Sequence, residues 1–97
     1  MAFIQIIEFK TSDIAGVRAV DNEWFAATEG KRTARRQIVA RDHNDPDRYF
    51  AMVFFDSYES AMANSNLAET QAFAEKYAAA TEGGPTFYDL DVIDDRV

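Results

Sequence analysis

The sequence predicts an α+β fold in which strands and helical segments follow one another in the order β-α-β-β-α-β. Three observations support this prediction: four short β-rich segments, two longer segments with helical apolar spacing, and turn or capping residues at the junctions. The chain has 97 residues, which suits one domain and leaves no length for a second. We therefore expect residues 1–97 to form a single domain.

The first strand is predicted from its composition and length, and the first helix from the residues at its two ends. Phe3 to Phe9 (FIQIIEF) is a β-rich run of strand length. A helix is predicted from Asp13 to Glu29, with Ser12 as its N-cap and Gly30 just past its end. At 100° per residue its apolar side chains share one arc, which predicts the buried face: Ile14, Val17, Val20, Trp24, Phe25 and Ala27.

The second and third strands are predicted to form a hairpin. Thr33 to Asp42 (TARRQIVARD) alternates loosely, and Tyr49 to Phe55 (YFAMVFF) is apolar at both alternate sets of positions. The residues between them, His43 to Arg48, have turn chemistry throughout. Two short consecutive strands joined by such a turn favour antiparallel pairing.

The second helical segment is predicted to begin twice, because two N-cap patterns lie ten residues apart in DSYE (56–59) and NLAE (66–69). We expect a short helix from Ser57 to about Asn64 and a longer one from Leu67 to about Thr81. The longer helix should bury Leu67, Phe73, Ala74, Tyr77 and Ala78. Gly83 and Gly84 end it, and Thr86 to Ile93 (TFYDLDVI) is the final alternating strand.

The whole pattern is the ferredoxin-like split βαβ arrangement: a four-stranded antiparallel sheet with the first and third strands central and the helices on one face. The third strand is apolar on both sides, so the helices leave one apolar face uncovered. Such a face exceeds what monomers usually expose, which predicts a homodimer that packs sheet against sheet.

Charges on the predicted edge strands indicate how two copies would pair. The second strand and its approach are basic, whereas the fourth strand and the tail are acidic. We expect strand four of one chain to meet strand two of its partner, with opposite charges fixing the register. The residues concerned are Lys31, Arg32, Arg35, Arg36 and Arg41 on one side and Asp89, Asp91, Asp94 and Asp95 on the other.

The chain resembles the dimeric α/β-barrel superfamily, and most closely the small antibiotic-biosynthesis-monooxygenase-like proteins. The resemblance is carried by FIQIIEF, ARRQIVARD, YFAMVFFDSYESA, NSNLAET and TFYDLDV. It implies a dimeric barrel with helices outside and a pocket in each protomer between sheet and helices. Relatives in this superfamily include cofactor-independent oxygenases of polyketide-like phenols, haem-degrading enzymes, isomerases and decarboxylases. The haem-degrading branch uses a histidine on the helix after strand three, where this chain has residues 61–66 (AMANSN).

Composition excludes several classes of function. The formal charge of −7 disfavours nucleic acid and anionic membranes as partners, and the short apolar start of the chain is neither a signal peptide nor a membrane span. We expect a cytoplasmic location. With no cysteine and one histidine, His43, in the turn containing Asp45 and Asp47, we expect a solvated turn, no metal site and no cofactor.

Asp21 and Asn64 are the candidate catalytic residues. Asp21 lies inside the apolar arc of the first helix. It either sits on the rim or pairs with an arginine of the second strand, or it is a buried carboxylate able to take a proton. Asn64 precedes the predicted helix break and presents an amide, although Asn66 beside it is explained by capping alone.

An aromatic cluster is the candidate substrate site, formed by Trp24, Phe54, Phe73 and Tyr77. It is either filled core or the wall of a pocket for a small aromatic molecule. Two functions follow. The first is a cofactor-independent oxygenase or isomerase-like enzyme, and the alternative is a non-catalytic ligand-binding or structural dimer.

Overall fold

The structure, a computed structural model, describes residues 2–97. Four strands form one antiparallel sheet in the order β2-β3-β1-β4. The elements in chain order are β1 (Phe3–Lys10), α1 (Ile14–Ala27), β2 (Arg36–Arg41), β3 (Arg48–Phe55), α2 (Tyr58–Ser65), α3 (Ala68–Ala80) and β4 (Thr86–Asp91). The predicted α+β class, element order, central strand pair and split second helical segment are all confirmed. No helix within residues 2–97 is long and apolar enough to cross a membrane.

The N-cap of α1 is Asp13 rather than the predicted Ser12. The Asp13 carboxylate accepts a hydrogen bond from the Gly16 backbone N–H at 3.1 Å, and the Asp13 N–H itself donates to the Thr11 hydroxyl. Both serine and aspartate are good caps, so the sequence pattern does not choose between neighbouring positions. The choice follows from Thr11, which is buried and fixes the turn before the helix.

The break between α2 and α3 differs from the predicted second N-cap. Ser57 caps α2 as expected, because its hydroxyl accepts from the Ser60 N–H at 3.0 Å. Asn66, predicted to begin α3, instead ends α2, and its N–H donates to the Met62 carbonyl. Leu67 stands at the start of α3 without a side-chain cap. Asn66 therefore ends α2, although the sequence pattern also allows it to be the N-cap of α3.

The two faces of the sheet differ because side chains alternate along each strand. In β3, Tyr49, Ala51, Val53 and Phe55 are buried beneath the helices. The register places them beside the buried residues of β1. Val17 of α1 and Tyr77 of α3 pack on one part of this layer, and Ala61 of α2 packs on another. The core is thus a single layer between the helices and one face of the sheet.

The opposite face of the sheet, which we call the open face, has no helix over it. Strand pairing brings its apolar side chains together across all four strands. The apolar side chains of the open face are Ile4, Ile6, Ile38, Phe50, Met52, Phe54, Tyr88 and Leu90. Met52 lies at its centre, directly opposite Ile6 on one side and Ile38 on the other. The aromatic open face expected from β3 is therefore present.

A polar network bounds one end of the open face. The Arg48 Nε donates to Glu8 at 2.9 Å, and the Tyr88 hydroxyl donates to the other Glu8 oxygen at 2.9 Å. These hydrogen bonds, with that from Arg48 first, hold the pKa of Glu8 below its ordinary value. Arg48 also pairs with Asp42 at 3.3 Å, so one cation is shared by two carboxylates at this end.

Helix α3 is less buried than its sequence predicts. Only Tyr77 is buried, Phe73 is partly buried, and both Ala74 and Ala78 are exposed, which corrects the expected buried set. Ala27, at the end of the predicted buried face of α1, is exposed as well. Helix α3 is less buried than expected because it packs mainly against α1 and does not reach over β4. All six residues of β4 are consequently exposed.

Candidate functional site

A cavity of about 50 Å³ lies between the sheet and helices α1 and α3. We call it the inner cavity. Its wall is mainly apolar and comes from three strands and all three helices. The wall includes Ile7, Phe9, Val17, Val39, Ala51 and Val53. Polar side chains also line it, namely Gln5, Arg18, Asp21, Gln37, Asn64, Thr70 and Tyr77. An apolar hollow with a few placed polar groups is typical of a small-molecule site.

Asp21 is buried at this cavity, with 8% of its surface exposed. One carboxylate oxygen accepts a hydrogen bond from the Gln37 side-chain amide at 2.7 Å. Burial raises the pKa of Asp21, while the Gln37 hydrogen bond and the nearby Arg18 charge oppose this effect. The Asp21 carboxylate is therefore buried rather than on the rim. Its partner is on strand β2, as the pairing interpretation required, but it is a neutral glutamine rather than an arginine.

Tyr77 brings a hydroxyl to the same cavity. It is 4% exposed and lines the wall of the cavity. Burial first, and the Asp21 carboxylate second, raise the pKa of this phenol. The hydroxyl therefore keeps its proton at neutral pH and can donate a hydrogen bond to a ligand in the cavity.

Asn64 lies at the end of α2 and reaches the cavity from the other side. It is 5% exposed, and its side-chain oxygen accepts from the Thr33 N–H at 3.2 Å. That bond fixes the orientation of the amide, so its NH₂ group is the part left to contact a ligand. The candidate residues Asp21 and Asn64 thus line the same cavity.

Trp24 and Phe73 form the aromatic end of the cavity. Their rings lie 5.6 Å apart, and Phe73 in turn contacts Tyr77 at 5.0 Å between ring centroids. The Trp24 indole N–H donates to the Thr70 hydroxyl at 3.0 Å. This bond ties α1 to α3 at the site. Neither Gln37 nor Thr70 was a candidate from sequence, although the alternation of Gln37 with Val39 placed it on the inner face.

Replacing Thr70 with Val should destabilise the fold by about 1–2 kcal/mol, because the Trp24 N–H loses its acceptor within a largely buried site. Thr70→Ser keeps the hydroxyl and should be close to wild type. Urea unfolding followed by fluorescence of Trp24, the one tryptophan of the chain, measures the difference. Equal midpoints for the two variants would show that the bond does not contribute.

Phe54 does not belong to this cavity, which corrects the expected aromatic set. It lies on the open face, between the inward-facing Val53 and Phe55. The Arg36 guanidinium stands over its ring at 5.9 Å. Because side chains alternate along a strand, Phe54 and its two neighbours cannot share one face.

The turn containing His43 does not assemble a metal site. Within the described residues no group of three or more histidine, cysteine or acidic side chains is placed to hold a metal ion. Asp45 instead accepts from the Asp47 backbone N–H and pairs with Lys10 at 3.5 Å. Its carboxylate therefore stabilises the turn.

A second hollow, which we call the outer groove, opens between α3 and β4. Its volume is about 240 Å³, and it exists because α3 stops short of β4. It shares five wall residues with the inner cavity: Gln5, Ile7, Thr70, Phe73 and Tyr77. Ala74 and Phe87 line only the outer groove. The inner cavity and the outer groove are therefore neighbours on one face of the sheet.

The chain is similar in fold to solved antibiotic biosynthesis monooxygenase proteins. It matches a variant of SnoaB, a cofactor-independent oxygenase from Streptomyces nogalater, with a TM-score of 0.82 and 10% identity over 97% of this chain and 95% of that one. It matches a provisionally named antibiotic biosynthesis monooxygenase from Caulobacter crescentus CB15 with a TM-score of 0.80 and 12% identity. That match covers 96% of this chain and 91% of the other. The match to Rv0793 from Mycobacterium tuberculosis has a TM-score of 0.80 and 9% identity, and it covers the whole of both chains.

Sequence comparison adds nothing to this likeness. No family profile matches the chain, and no curated protein matches it by sequence. The resemblance noted in the sequence is thus confirmed at the level of the fold. A shared fold does not determine the chemistry, which depends on the side chains at the inner cavity.

Proposed function

We propose that this chain is a cofactor-independent monooxygenase-like enzyme that acts on a small phenol of aromatic or polyketide-like character. The observation that carries the proposal is the meeting of Asp21, Asn64 and Tyr77 at one apolar cavity. All three are more than nine-tenths buried. A filled core has no need of a carboxylate there, because burying a charge costs free energy unless it is used or paired.

The proposed reaction needs no external reductant. A phenol with a free para C–H reacts with O₂ to give a para-quinone and water. The substrate supplies all the electrons that reduce both oxygen atoms. One oxygen atom forms the new carbonyl, and the other leaves as water with the phenolic proton and the para proton.

Asp21 is the general base in this proposal. Its carboxylate removes the phenolic proton, and the resulting electron-rich anion is the species that reacts with O₂. A raised pKa brings the base closer to the phenol in proton affinity. Tyr77 and the NH₂ group of Asn64 donate hydrogen bonds to the substrate oxygen, and the apolar wall limits access of water.

The direct test is oxygen uptake with 1-naphthol as the probe substrate, monitored with an oxygen electrode. We expect enzyme-dependent formation of 1,4-naphthoquinone with one oxygen atom from ¹⁸O₂ in the new carbonyl. Absence of uptake with 1-naphthol and with one-ring phenols would reject the oxygenase proposal. It would favour the alternative, a non-catalytic ligand-binding or structural dimer, which the small volume of the inner cavity also suits.

The rate should rise with pH between about 4 and 8, because only the ionised form of Asp21 accepts a proton. Burial raises its pKa, so the midpoint should lie above 3.8, the ordinary value for aspartate. The other ionisable groups facing it are Arg18, whose positive charge favours the ionised carboxylate, and Tyr77, which stays neutral. A rate that is flat over this range would contradict a role for Asp21 as the base.

We also propose that the active form is a homodimer in which the open faces of two sheets pack together. The apolar residues of the open face have no cover within the protomer, and a second copy offers an identical apolar surface. This arrangement leaves the inner cavity and the outer groove on the far side of each sheet. Each protomer would then hold a complete site.

Charge supports strand β4 of one copy meeting β2 of the other. Three of the basic residues before and on β2 are already engaged: Lys31 pairs with Glu69, Arg35 pairs with Asp56, and Arg32 stacks on Phe25. Arg36 and Arg41 form no ion pair with residues 2–97. These two are therefore the partners we expect for the acidic residues of β4.

A further inference from the structure

Asp21 and Gln37 meet at the inner cavity from the two layers that enclose it. Asp21 lies on α1, and Gln37 lies on β2, where the register pairs it with the buried Val53 of β3. The Gln37 Nε2 donates a hydrogen bond to the Asp21 Oδ2 at 2.7 Å. The bond therefore connects the helix that carries the carboxylate to the sheet beneath it.

The place of Asp21 on α1 does not by itself decide where its two oxygens point. The torsion that turns an aspartate carboxylate is soft, because its two-fold preference is broad. An ionised carboxylate only accepts hydrogen bonds, so the bond from Gln37 holds Oδ2 on the β2 side. When Oδ2 is held, the direction of the second oxygen, Oδ1, is fixed as well. A base works only if its accepting oxygen lies within hydrogen-bond reach of the proton.

Gln37 is uncharged, and this decides what its bond does to the carboxylate. Burial raises the pKa of Asp21, and the Gln37 hydrogen bond is the largest of the effects that oppose burial. A cation at position 37 would lower the pKa further and weaken the base, whereas an apolar residue would favour the protonated form. The neutral amide therefore keeps the carboxylate ionised without neutralising its charge.

The groups that face Asp21 from other positions stabilise its charge less. Arg18 lies at the same cavity, and its positive charge lowers the pKa of Asp21 by less than the Gln37 hydrogen bond does. Tyr77 of α3 keeps its proton at neutral pH. Uncharged polar side chains also face the cavity from α2 and β1, namely Asn64 and Gln5.

We infer that Gln37 is a positioning residue for the proposed oxygenase, whose amide holds Oδ2 of Asp21 so that Oδ1 faces the inner cavity as the proton acceptor. In the step that it supports, the phenolic O–H bond breaks and an Oδ1–H bond forms, while Gln37 stays bonded to Oδ2. The inference rests on the proposed function for the proton that Oδ1 accepts. The hold on the carboxylate is a property of the resting protein, so it can be measured without substrate.

The first test measures the pKa of Asp21 without substrate, by NMR titration of its side-chain carboxyl carbon. Gln37→Leu should raise this pKa by about one unit or more, because a hydrogen bond to a charged group is lost. Gln37→Lys should lower it relative to wild type, because the ammonium group pairs with the carboxylate. Circular dichroism checks that each variant is folded, and either variant suffices if the other does not fold.

Gln5→Leu is the matched control for the titration. Gln5 on β1 and Gln37 on β2 are both register partners of Val53, one on each side of β3. The Gln5 amide donates to Asp89 at 3.4 Å. Its replacement makes the same change in the same cavity wall, so the pKa of Asp21 should stay at its wild-type value. An equal rise in Gln5→Leu and Gln37→Leu would reveal a general effect of an apolar wall and would overturn the inference.

The second test follows oxygen uptake with 1-naphthol as a function of pH. In Gln37→Leu the midpoint of kcat/KM should move upward by the same amount as the pKa of Asp21. Above that midpoint kcat should fall about 10- to 100-fold, the expected effect of misplacing a reacting group. KM should change much less, because leucine has nearly the size of glutamine. A purely structural role would reduce the amount of folded enzyme and leave the midpoint where it is.

The outcomes keep the two proposals apart. An unchanged pKa of Asp21 in Gln37→Leu, or a raised pKa with an unchanged kcat, would overturn the positioning role. Oxygen uptake by wild type with an identical pH profile in Gln37→Leu would leave the oxygenase standing and remove Gln37 from it. A raised pKa in Gln37→Leu, without any oxygen uptake by wild type, would reject the oxygenase and still support Gln37 as the group that holds Asp21.

Discussion

Replacing Asp21 with Asn should lower the rate of oxygen uptake with 1-naphthol about 10²- to 10⁴-fold, the usual contribution of a positioned general base. Asparagine has nearly the same shape but no basic oxygen at neutral pH. The loss should appear mainly in kcat, because the wall of the inner cavity is unchanged. Comparison of steady-state oxygen uptake for purified wild type and variant measures it.

The same substitution should leave the protein folded. The introduced amide keeps a side-chain oxygen, which can still accept the hydrogen bond that Gln37 donates to Asp21 in the wild type. Burial raises the pKa of Asp21, so the folded chain binds this proton more tightly than the unfolded chain does. Its contribution to stability therefore falls as pH rises through that pKa. At neutral pH the variant should unfold at an equal or higher urea concentration.

Glu23→Gln is the matched control for this prediction. Glu23 is an exposed carboxylate on the same helix, two residues further along, where it pairs with Lys76. Its loss removes one negative charge from α1 without touching the inner cavity, so the rate should stay close to wild type. Normal turnover by Asp21→Asn would show that another group accepts the proton. A comparable loss in Glu23→Gln would indicate a general effect of charge.

Replacing Met52 with Glu should raise the dissociation constant of the proposed dimer about 10³-fold or more. Met52 is at the centre of the open face, between Ile6 and Ile38. A carboxylate there would be buried without a partner in the dimer, and the two-fold axis would apply the penalty twice. In the monomer the same carboxylate faces water, so the fold itself should tolerate it. Sedimentation equilibrium over a range of concentrations gives the constant.

Met52→Leu is the control, since it keeps the apolar contact and nearly the same volume. We expect it to associate as wild type does. Ala79→Glu adds a charge at an exposed position on α3 and should also associate normally. A wild-type particle of 11 kDa at micromolar concentration would reject the homodimer, whatever the variants do.

Periodicity and end signals were sufficient to predict the topology. The run of apolar residues in β3 identified a central strand with two apolar faces, and the turn residues before it identified the hairpin partner β2. The helix boundaries differ from the predicted ones by one or two residues, and the start of α1 was ambiguous because Ser12 and Asp13 are both acceptable caps. Neighbouring cap residues are resolved only by contacts such as that of Asp13 with the Thr11 hydroxyl.

The site could be predicted in part. Asp21 stood out because a carboxylate inside an apolar arc is unusual, and Trp24 and Tyr77 lie on the arcs of the helices that face each other. Phe54 could have been excluded from the inner cavity by the alternation of side chains along β3 alone. The exposure of Ala74 could not be foreseen, since it depends on where α3 sits above the sheet. That placement is set by α1, and no local pattern within α3 encodes it.

The exposure of β4 on both sides has a consequence for how this fold can change over generations. Its six side chains touch little of the protomer's core, so most substitutions there should cost little stability. Yet the same strand contributes Phe87 to the groove and the acidic edge to the proposed dimer. Variation in β4 could therefore alter what is bound, and which copies pair, while the rest of the fold is preserved. The least constrained strand of the sheet is thus the one most open to functional divergence.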